Sequence, residues 1–327
     1  MLDRRRFIDA LLSVLAAAPF NSPAQEPAKA YRVGLLTLGS DPARSGFWQR
    51  FLEAMRALNY VEGRNLLVSR AFADGNADRL PGLAADLVQT KVDVIVTTST
   101  LETLAAKRST NTIPIVMTLV PNPVGDGLVE SLARPRGNVT GLTSVIPGIS
   151  EKLVQLLHEL LPTGVRFAVI GSPGVPRPEI RRELQTSAQK AMVSLSFVEI
   201  KGSEGIRSQL EREKREGSAG IIVPLGPVTY GYRAQLVQVA LKLRLPGIYW
   251  HRDFVEAGGL MSYGANSGDV ARRAAYFVDR ILHGAKPADL PVEQPATFEL
   301  VINLNAAKMI GVTIQQSLLL RADQVIE

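Results

Sequence analysis

Short, continuous apolar runs rich in β-branched residues alternate with segments of helical periodicity, and the alternation occurs twice. Val92-Asp93-Val94-Ile95-Val96 is the plainest of these runs. It is too short for a helix and lacks the polar alternation of a half-exposed strand. Such a run fits a strand buried on both faces, as in a parallel sheet. Strands of that kind need helices on both sides of the sheet, so the chain must fold as layered α/β units.

In the first half, Tyr31–Leu36 is the first strand. A helix over about Phe47–Asn59 follows, with Phe47, Phe51, Met55 and Leu58 on one face. Next come a strand near Asn65–Phe72, a helix over Asn76–Val88, the Val92 strand with its helix Leu101–Arg108, and Ile113–Thr118. The second half repeats this plan. A helix over Ser150–Leu161 leads to strand Arg166–Ile170, a helix near Glu179–Ala191, a strand near Leu195–Ile200 and a charged helix near Ser203–Glu216. Gly220–Pro224 then matches the Val92 strand. A helix over about Tyr232–Leu243 leads to Pro246–Trp250, which matches Ile113–Thr118. The duplication predicts two doubly wound parallel-sheet lobes joined by several crossings, with a cleft between their strand ends. The expected division is residues 31–145 plus 262–290 in one lobe and 146–261 plus 291–327 in the other. Ser267–Gly284 reads as a helix, Phe298–Ile302 as a strand, and Asn303–Ile310 and Ser317–Asp323 as short helices that return to the lobes.

The Val92 strand ends in four hydroxyl residues, Thr97-Thr98-Ser99-Thr100, immediately before a helix. Ser99 or Thr100 can cap that helix. The free N–H groups of the same turn, at the positive end of the helix dipole, also suit a carboxylate. Thr98 and Ser99 are the expected anion holders, with no Lys or Arg close by in the chain. The other strand-end loops are Thr37–Ser45, Val120–Gly127, Ser172–Arg177, Leu225–Gly231 and His251–Phe254. From them Leu38, Gly39, Asn122, Pro123, Ser172, Pro173, Tyr230, Asp253 and Phe254 are candidate ligand contacts. For the aromatic residues, core packing competes with ligand contact.

The chain has 327 residues, enough for two domains, and its 46% apolar and 21% charged residues fit a globular protein. The net charge of +6 is scattered, which argues against a nucleic-acid footprint. Without cysteine there is no disulfide framework, zinc–thiolate site, thiol nucleophile or lipid-modified cysteine. His158, His251 and His283 lie far apart, with no metal-ligand spacing. Neither a phosphate-binding GxxxxGK[ST], nor a dinucleotide GxGxxG after a strand, nor a GxSxG elbow occurs. No metal, cofactor or catalytic residue is therefore expected, and the residues point away from an enzyme.

Arg4-Arg5-Arg6, the apolar stretch Ala10–Phe20 and Ser22-Pro23-Ala24 have the layout of an export signal over residues 1–24, cleaved near Ala24. Asp3–Ile8 resembles a twin-arginine signal. Residues 25–30 read as a tether. The expected location is the periplasm.

Several stretches carry a family resemblance. They are Asn59–Leu66, Phe72–Gly75, Asp78–Pro81, Leu132–Gly141, Phe254–Gly264 and Ser317–Asp323. In order and spacing they resemble the ABC-transporter substrate-binding family of the tryptophan/tyrosine type, over essentially the whole mature chain. The resemblance implies a type I periplasmic-binding-protein fold, a closing cleft and delivery of solute to a membrane permease. It also implies that the Thr97–Thr100 turn and the Val120–Asp126 loop face the ligand. Two positions depart from the family pattern: Asn122-Pro123 stands where Asp-Pro is common, and Ser172-Pro173 where Asn-Pro is common. The missing carboxylate at 122 removes a partner for an ammonium group.

The combined expectation is the soluble, monomeric substrate-binding component of an ABC importer. It captures a small carboxylate-bearing solute, either an amino acid (aromatic ones included) or a related organic acid. A sensory module signalling to a membrane receptor is the alternative.

Overall fold

The computed structural model describes residues 30–39, 46–144, 148–163 and 165–327. The expected signal segment, nearly all of the tether and most of the loop after Gly39 lie outside them.

The first lobe is built on β1 (Tyr31–Thr37), β2 (Leu66–Phe72), β3 (Val94–Thr97), β4 (Ile115–Val120) and β5 (Val139–Thr143). They form a parallel sheet in the order β2-β1-β3-β4-β5. β3, β4 and β5 are buried along their whole length, as their unbroken apolar or hydroxyl character requires. Helices α2 (Leu80–Gln89) and α3 (Thr100–Ser109) cover one face through Leu80, Ala84, Leu87 and Ala106. Helix α1 (Gly46–Ala57) covers the other with Phe47, Phe51 and Met55 of the expected stripe, whereas Leu58, the fourth residue expected there, lies just past the helix end and is exposed.

The second lobe repeats the same order. Strands β6 (Arg166–Gly171), β7 (Ser194–Glu199), β8 (Gly220–Val223), β9 (Gly247–Tyr249) and β10 (Met261–Ala265) lie in the order β7-β6-β8-β9-β10. Strands β11 (Phe298–Asn303) and β12 (Gln324–Ile326) extend this sheet beyond β10. Its helices are α4 (Ile149–Leu160), α5 (Pro178–Lys190), α6 (Ser203–Arg215), α7 (Pro227–Gly231), α8 (Arg233–Lys242), α9 (Arg252–Glu256), α11 (Leu304–Ile310) and α12 (Gln316–Leu319). Leu153 and Leu157 of α4 and Leu184 of α5 pack on one face of the sheet; Leu210 of α6 and Leu236 of α8 pack on the other.

Three crossings join the lobes among the described residues: between β5 and α4, between β10 and α10 (Ser267–Leu282), and before β11. α10 leaves the second sheet and packs beside α1 on the first lobe, burying Val270, Phe277, Val278 and Ile281. The Glu299 carboxylate ties the last two crossings together. It accepts from the Ser267 N–H at 3.0 Å, Asn266 Nδ2 at 3.2 Å and Arg252 Nη1 at 2.8 Å.

The structure moves two expected boundaries. Residues 262–265 belong to the second sheet, through β10. Residues 292 and 293, assigned to the second lobe from sequence, run beside the first: Val292 N–H donates to the Leu132 carbonyl at 2.7 Å and Thr143 N–H to the Glu293 carbonyl at 2.9 Å. The second sheet is also not purely parallel, because β11 runs antiparallel to β10. β10 ends at the crossing, its helix sits on the other lobe, and the chain re-enters the sheet at the end it left.

Candidate functional site

The carboxyl ends of β3, β4, β6 and β8 face one another across a cavity of about 390 Å³ between the lobes. This is the expected ligand position for open α/β sheets, and the volume suits a small solute. The first lobe contributes Thr98, Ser99, Thr100 and Leu101 after β3, and Leu119, Pro121 and Asp126 at and beyond the end of β4. The second contributes Pro173, Gly174, Val175, Arg177 and Pro178 after β6, and Leu225, Gly226 and Tyr230 after β8. The wall is mainly apolar, and its charged members among these residues are Arg177 and Asp126.

Two backbone features shape the wall. The β4–β5 register shifts between Met117 and Val120, and Leu119 there takes a left-handed φ of 51°. A branched side chain in that region costs free energy, and such residues gather at binding sites. Gly141 lies opposite with φ 125°, and a Cβ there would stand 2.1 Å from the Met117 carbonyl oxygen. On the other lobe the 172–177 loop folds back over the end of β6. A Cβ on Gly171 would lie 1.8 Å from the Val175 carbonyl oxygen, so glycine is what lets Pro173, Gly174 and Arg177 reach the cleft.

At the β3–α3 turn the Thr98 N–H and hydroxyl, part of the donor set expected for an anion, are taken by the protein's own Glu102. Ser99 caps α3, with its hydroxyl facing the Glu102 N–H at 3.4 Å. The Glu102 side chain turns back and accepts from the Leu38 N–H at 2.6 Å, the Thr98 N–H at 2.5 Å and the Thr98 hydroxyl at 2.9 Å. Glu102 is fully buried, and burial pushes its carboxyl above its ordinary value although the three donors pull the other way. Ser99-x-x-Glu102 has capping-box spacing, so the sequence did carry a signal for this contact. Here the carboxylate reaches one residue further back than in that motif, and across to the β1 loop.

Across the cavity, Arg177 of the second lobe forms an ion pair with Asp126 of the first. Asp126 also accepts from the Thr100 hydroxyl at 3.3 Å. Asn122 shapes the turn that delivers Asp126: its side chain accepts from the Gly125 N–H at 3.0 Å and its carbonyl from the Asp126 N–H at 2.9 Å. The cleft thus holds a carboxylate four residues beyond the position where the family pattern suggested one was lost. A second contact joins the lobes where the Tyr232 hydroxyl donates to the Gly75 carbonyl at 3.1 Å.

Tyr230 lines the cavity from behind. Its hydroxyl donates to Asp253 at 2.6 Å, and the Arg233 guanidinium lies 4.8 Å from its ring centroid. Burial and the neighbouring Asp253 carboxylate push the phenol pKa well up, so it stays a donor. The Ser172 hydroxyl accepts from the Val228 and Thr229 N–H groups at 3.0 and 3.1 Å, which fixes the start of α7 and hence Tyr230. Asp253 also faces His251 Nδ1 at 3.4 Å and Arg50 of the first lobe at 3.9 Å.

Of the residues singled out from sequence, Thr98, Ser99, Thr100, Pro173 and Tyr230 line the cavity together. The rest take supporting positions outside that lining. Thr97 is fully buried and pairs its hydroxyl with that of Thr103 at 2.7 Å. Leu38 gives its N–H to Glu102, and Gly39 gives its own to the Thr37 hydroxyl at 3.1 Å. Asn122 and Pro123 form the turn that places Asp126, and Ser172 caps α7. Asp253 holds the Tyr230 hydroxyl. Phe254 stacks on Tyr249 at 4.9 Å in the core. Sequence reasoning missed Asp126 and Arg177 as individual residues, although both fall in loops it named.

The family described as ABC transporter substrate binding protein matches residues 32–326. This chain belongs to that family. A conserved domain protein of Vibrio cholerae, known from a crystal structure, is 30% identical with a TM-score of 0.80, covering 91% of this chain and all of that one. A Streptococcus pneumoniae ABC domain crystallised with L-Trp is 24% identical with the same TM-score of 0.80, again over 91% of this chain and all of that one. The tyrosine-binding protein of Clostridioides difficile is 25% identical over 285 residues, 86% of this chain and 81% of that one. The fold is that of the type I periplasmic binding proteins, as the family's two-lobed α/β architecture requires. Among the described residues there is no group of side chains suited to a metal ion and no helix long and apolar enough to cross a membrane.

Proposed function

We propose that this family member is the exported substrate-binding component of an ABC importer. It captures a small carboxylate-bearing solute in the interlobe cavity and presents it, with the lobes closed, to a membrane permease. The observation that carries the solute class is the cavity itself. Leu101, Leu119, Pro121, Leu225 and the Tyr230 ring make an apolar enclosure of about 390 Å³, with Arg177 as its guanidinium and Asp126 as its carboxylate. Such a wall suits an amino acid with an apolar or aromatic side chain, or an organic acid of similar shape. The tyrosine-binding name of one relative and the L-Trp bound by another support the aromatic choice. The role is non-enzymatic, with no cofactor, and the protein acts as a monomer in the periplasm.

The test is a thermal-shift screen of the mature protein. Its solutes are L-tryptophan, L-tyrosine, leucine, benzoate and the des-amino analogues of the two aromatic amino acids. A solute at a hundred times its Kd stabilises the native state by about 2.7 kcal/mol. At least one of these carboxylates should raise the midpoint in a concentration-dependent way. A flat response to all of them overturns the solute class.

A further inference from the structure

A third contact between the lobes lies behind Tyr230, outside the cavity lining. Arg50 of α1, on the first lobe, reaches across to α9 and to the start of α10. Its Nη1 donates to a Glu256 carboxylate oxygen at 3.3 Å and its Nη2 to the Ser267 hydroxyl at 3.0 Å. The lobes come close here, since a Cβ on Gly46 at the start of α1 would stand 2.6 Å from the other Glu256 oxygen. Asp253 of α9 is buried and divides its two oxygens between two tasks. Oδ2 accepts from the Tyr230 hydroxyl of the cavity wall at 2.6 Å. Oδ1 faces the seam, buried and without a hydrogen bond, 3.9 Å from Arg50 Nη2. His251 Nδ1 lies 3.4 Å from Oδ1, but it accepts from the Asp253 N–H at 3.3 Å and so has no proton to offer that oxygen. Arg50 Nε is likewise buried without a partner. A buried donor and a buried acceptor left unpaired each destabilise the arrangement. A guanidinium–carboxylate bond closes at about 2.7–2.9 Å, so an approach of about 1 Å between α1 and α9 would join the two.

We propose that Arg50 and Asp253 form an interlobe latch: closure brings the Arg50 guanidinium onto Asp253 Oδ1, and this ion pair holds the solute-bound state shut. Asp253 links the two events. One of its oxygens is anchored to the cavity wall through Tyr230, and the other faces the opposite lobe. A solute that settles the Tyr230 ring therefore also settles the oxygen that Arg50 must meet. Arg252 bonds both Glu256 and Glu299, which ties α9 to the crossings about which the lobes turn. Neither Arg50 nor Asp253 lines the cavity, so the pair governs release of the solute rather than its recognition. This inference rests on the closing-cleft reading above.

The experiment measures lobe separation and solute release together. The chain has no cysteine, so Asp86→Cys on α2 and Ser208→Cys on α6, both exposed positions, place one spin label on each lobe. Label-to-label distances are compared in the labelled parent, Arg50→Gln, Asp253→Asn and the double variant, without solute and with L-tryptophan, L-tyrosine or benzoate. Surface plasmon resonance gives association and dissociation rates on the unlabelled proteins, and thermal midpoints report folding. Asp253→Asn keeps an acceptor for Tyr230, and Arg50→Gln leaves Asp253 intact. Each variant should shift the distances towards the larger separation. Dissociation should quicken by about ten-fold, with association changed by less than about two-fold. Because both substitutions remove the same pair, the double variant should release solute no faster than the single ones. Arg50→Lys, which keeps the charge, should recover part of the loss. Distances in folded Arg50→Gln that match those of the parent overturn the latch, as do additive effects of the two substitutions or a change confined to association. If none of the three carboxylates binds the parent, the solute reading falls, and the solute-free distances decide the latch by themselves.

Discussion

Substitution of Glu102 by Gln tests the electrostatic core of the site without any solute. The glutamate satisfies three donors with two oxygens, one facing Leu38 N–H and the other facing both groups of Thr98. An amide keeps one acceptor. Its best placement leaves the carbonyl on the Thr98 pair and turns the NH₂ towards the Leu38 N–H, now 2.6 Å from the oxygen it replaces. A buried donor facing a donor costs about 1–3 kcal/mol. For a chain of this size that lowers the unfolding midpoint by roughly 2–8 °C. The pH dependence has a definite sign. Burial raises the Glu102 carboxyl above its ordinary value of 4.5, so over the interval above that value the native state holds a proton that the unfolded state has lost. The unaltered protein therefore loses stability from this group as the pH rises from the ordinary to the raised value, whereas Gln does not titrate. Urea unfolding of both proteins at several points from about pH 5 to pH 8 should show the gap between them narrowing as the pH rises. A gap that widens with pH, or no gap at the acid end, refutes the account of Glu102 as a buried carboxyl that satisfies the turn.

Gly171→Ala should displace the 172–177 loop, because the new Cβ would stand 1.8 Å from the Val175 carbonyl oxygen; calorimetry should show weakened solute binding, and unchanged affinity would show that the loop is not held by this contact. Tyr230→Phe removes the donor that lies 2.6 Å from the buried Asp253 and should cost about 1–3 kcal/mol in urea unfolding while keeping the ring in the cavity wall. Lobe closure predicts a smaller radius of gyration by small-angle scattering when a binding carboxylate saturates the protein; with the interlobe Arg177–Asp126 contact removed by Asp126→Asn, the difference between the two states should grow. Cell fractionation should recover a form beginning near Gln25 outside the cytoplasmic membrane, and a full-length cytosolic form alone would refute export.

The residue pattern by itself determined the repeated architecture. Val92–Val96 and Gly220–Pro224 are short, continuous and β-branched, and burial on both faces of a helix-covered sheet is the way to remove such runs from water. The hydroxyl-rich end of β3, the loops that converge on the cleft and the stripe of α1 were legible for the same reason: period and end-chemistry are local properties. Contacts between residues distant in the chain were not legible. Arg177 and Asp126 are 51 residues apart and meet only because two sheets of the same strand order aim their carboxyl ends at each other. Glu102 stands at capping-box spacing from Ser99, which is a local signal. That its carboxylate also takes the Leu38 N–H, 64 residues away, depends on β1 lying next to β3 in the sheet. Strand adjacency is set by the packing of whole elements, so the sequence named the hydroxyl-rich turn, and only the tertiary structure showed that the protein's own Glu102 takes the Thr98 donors of that turn.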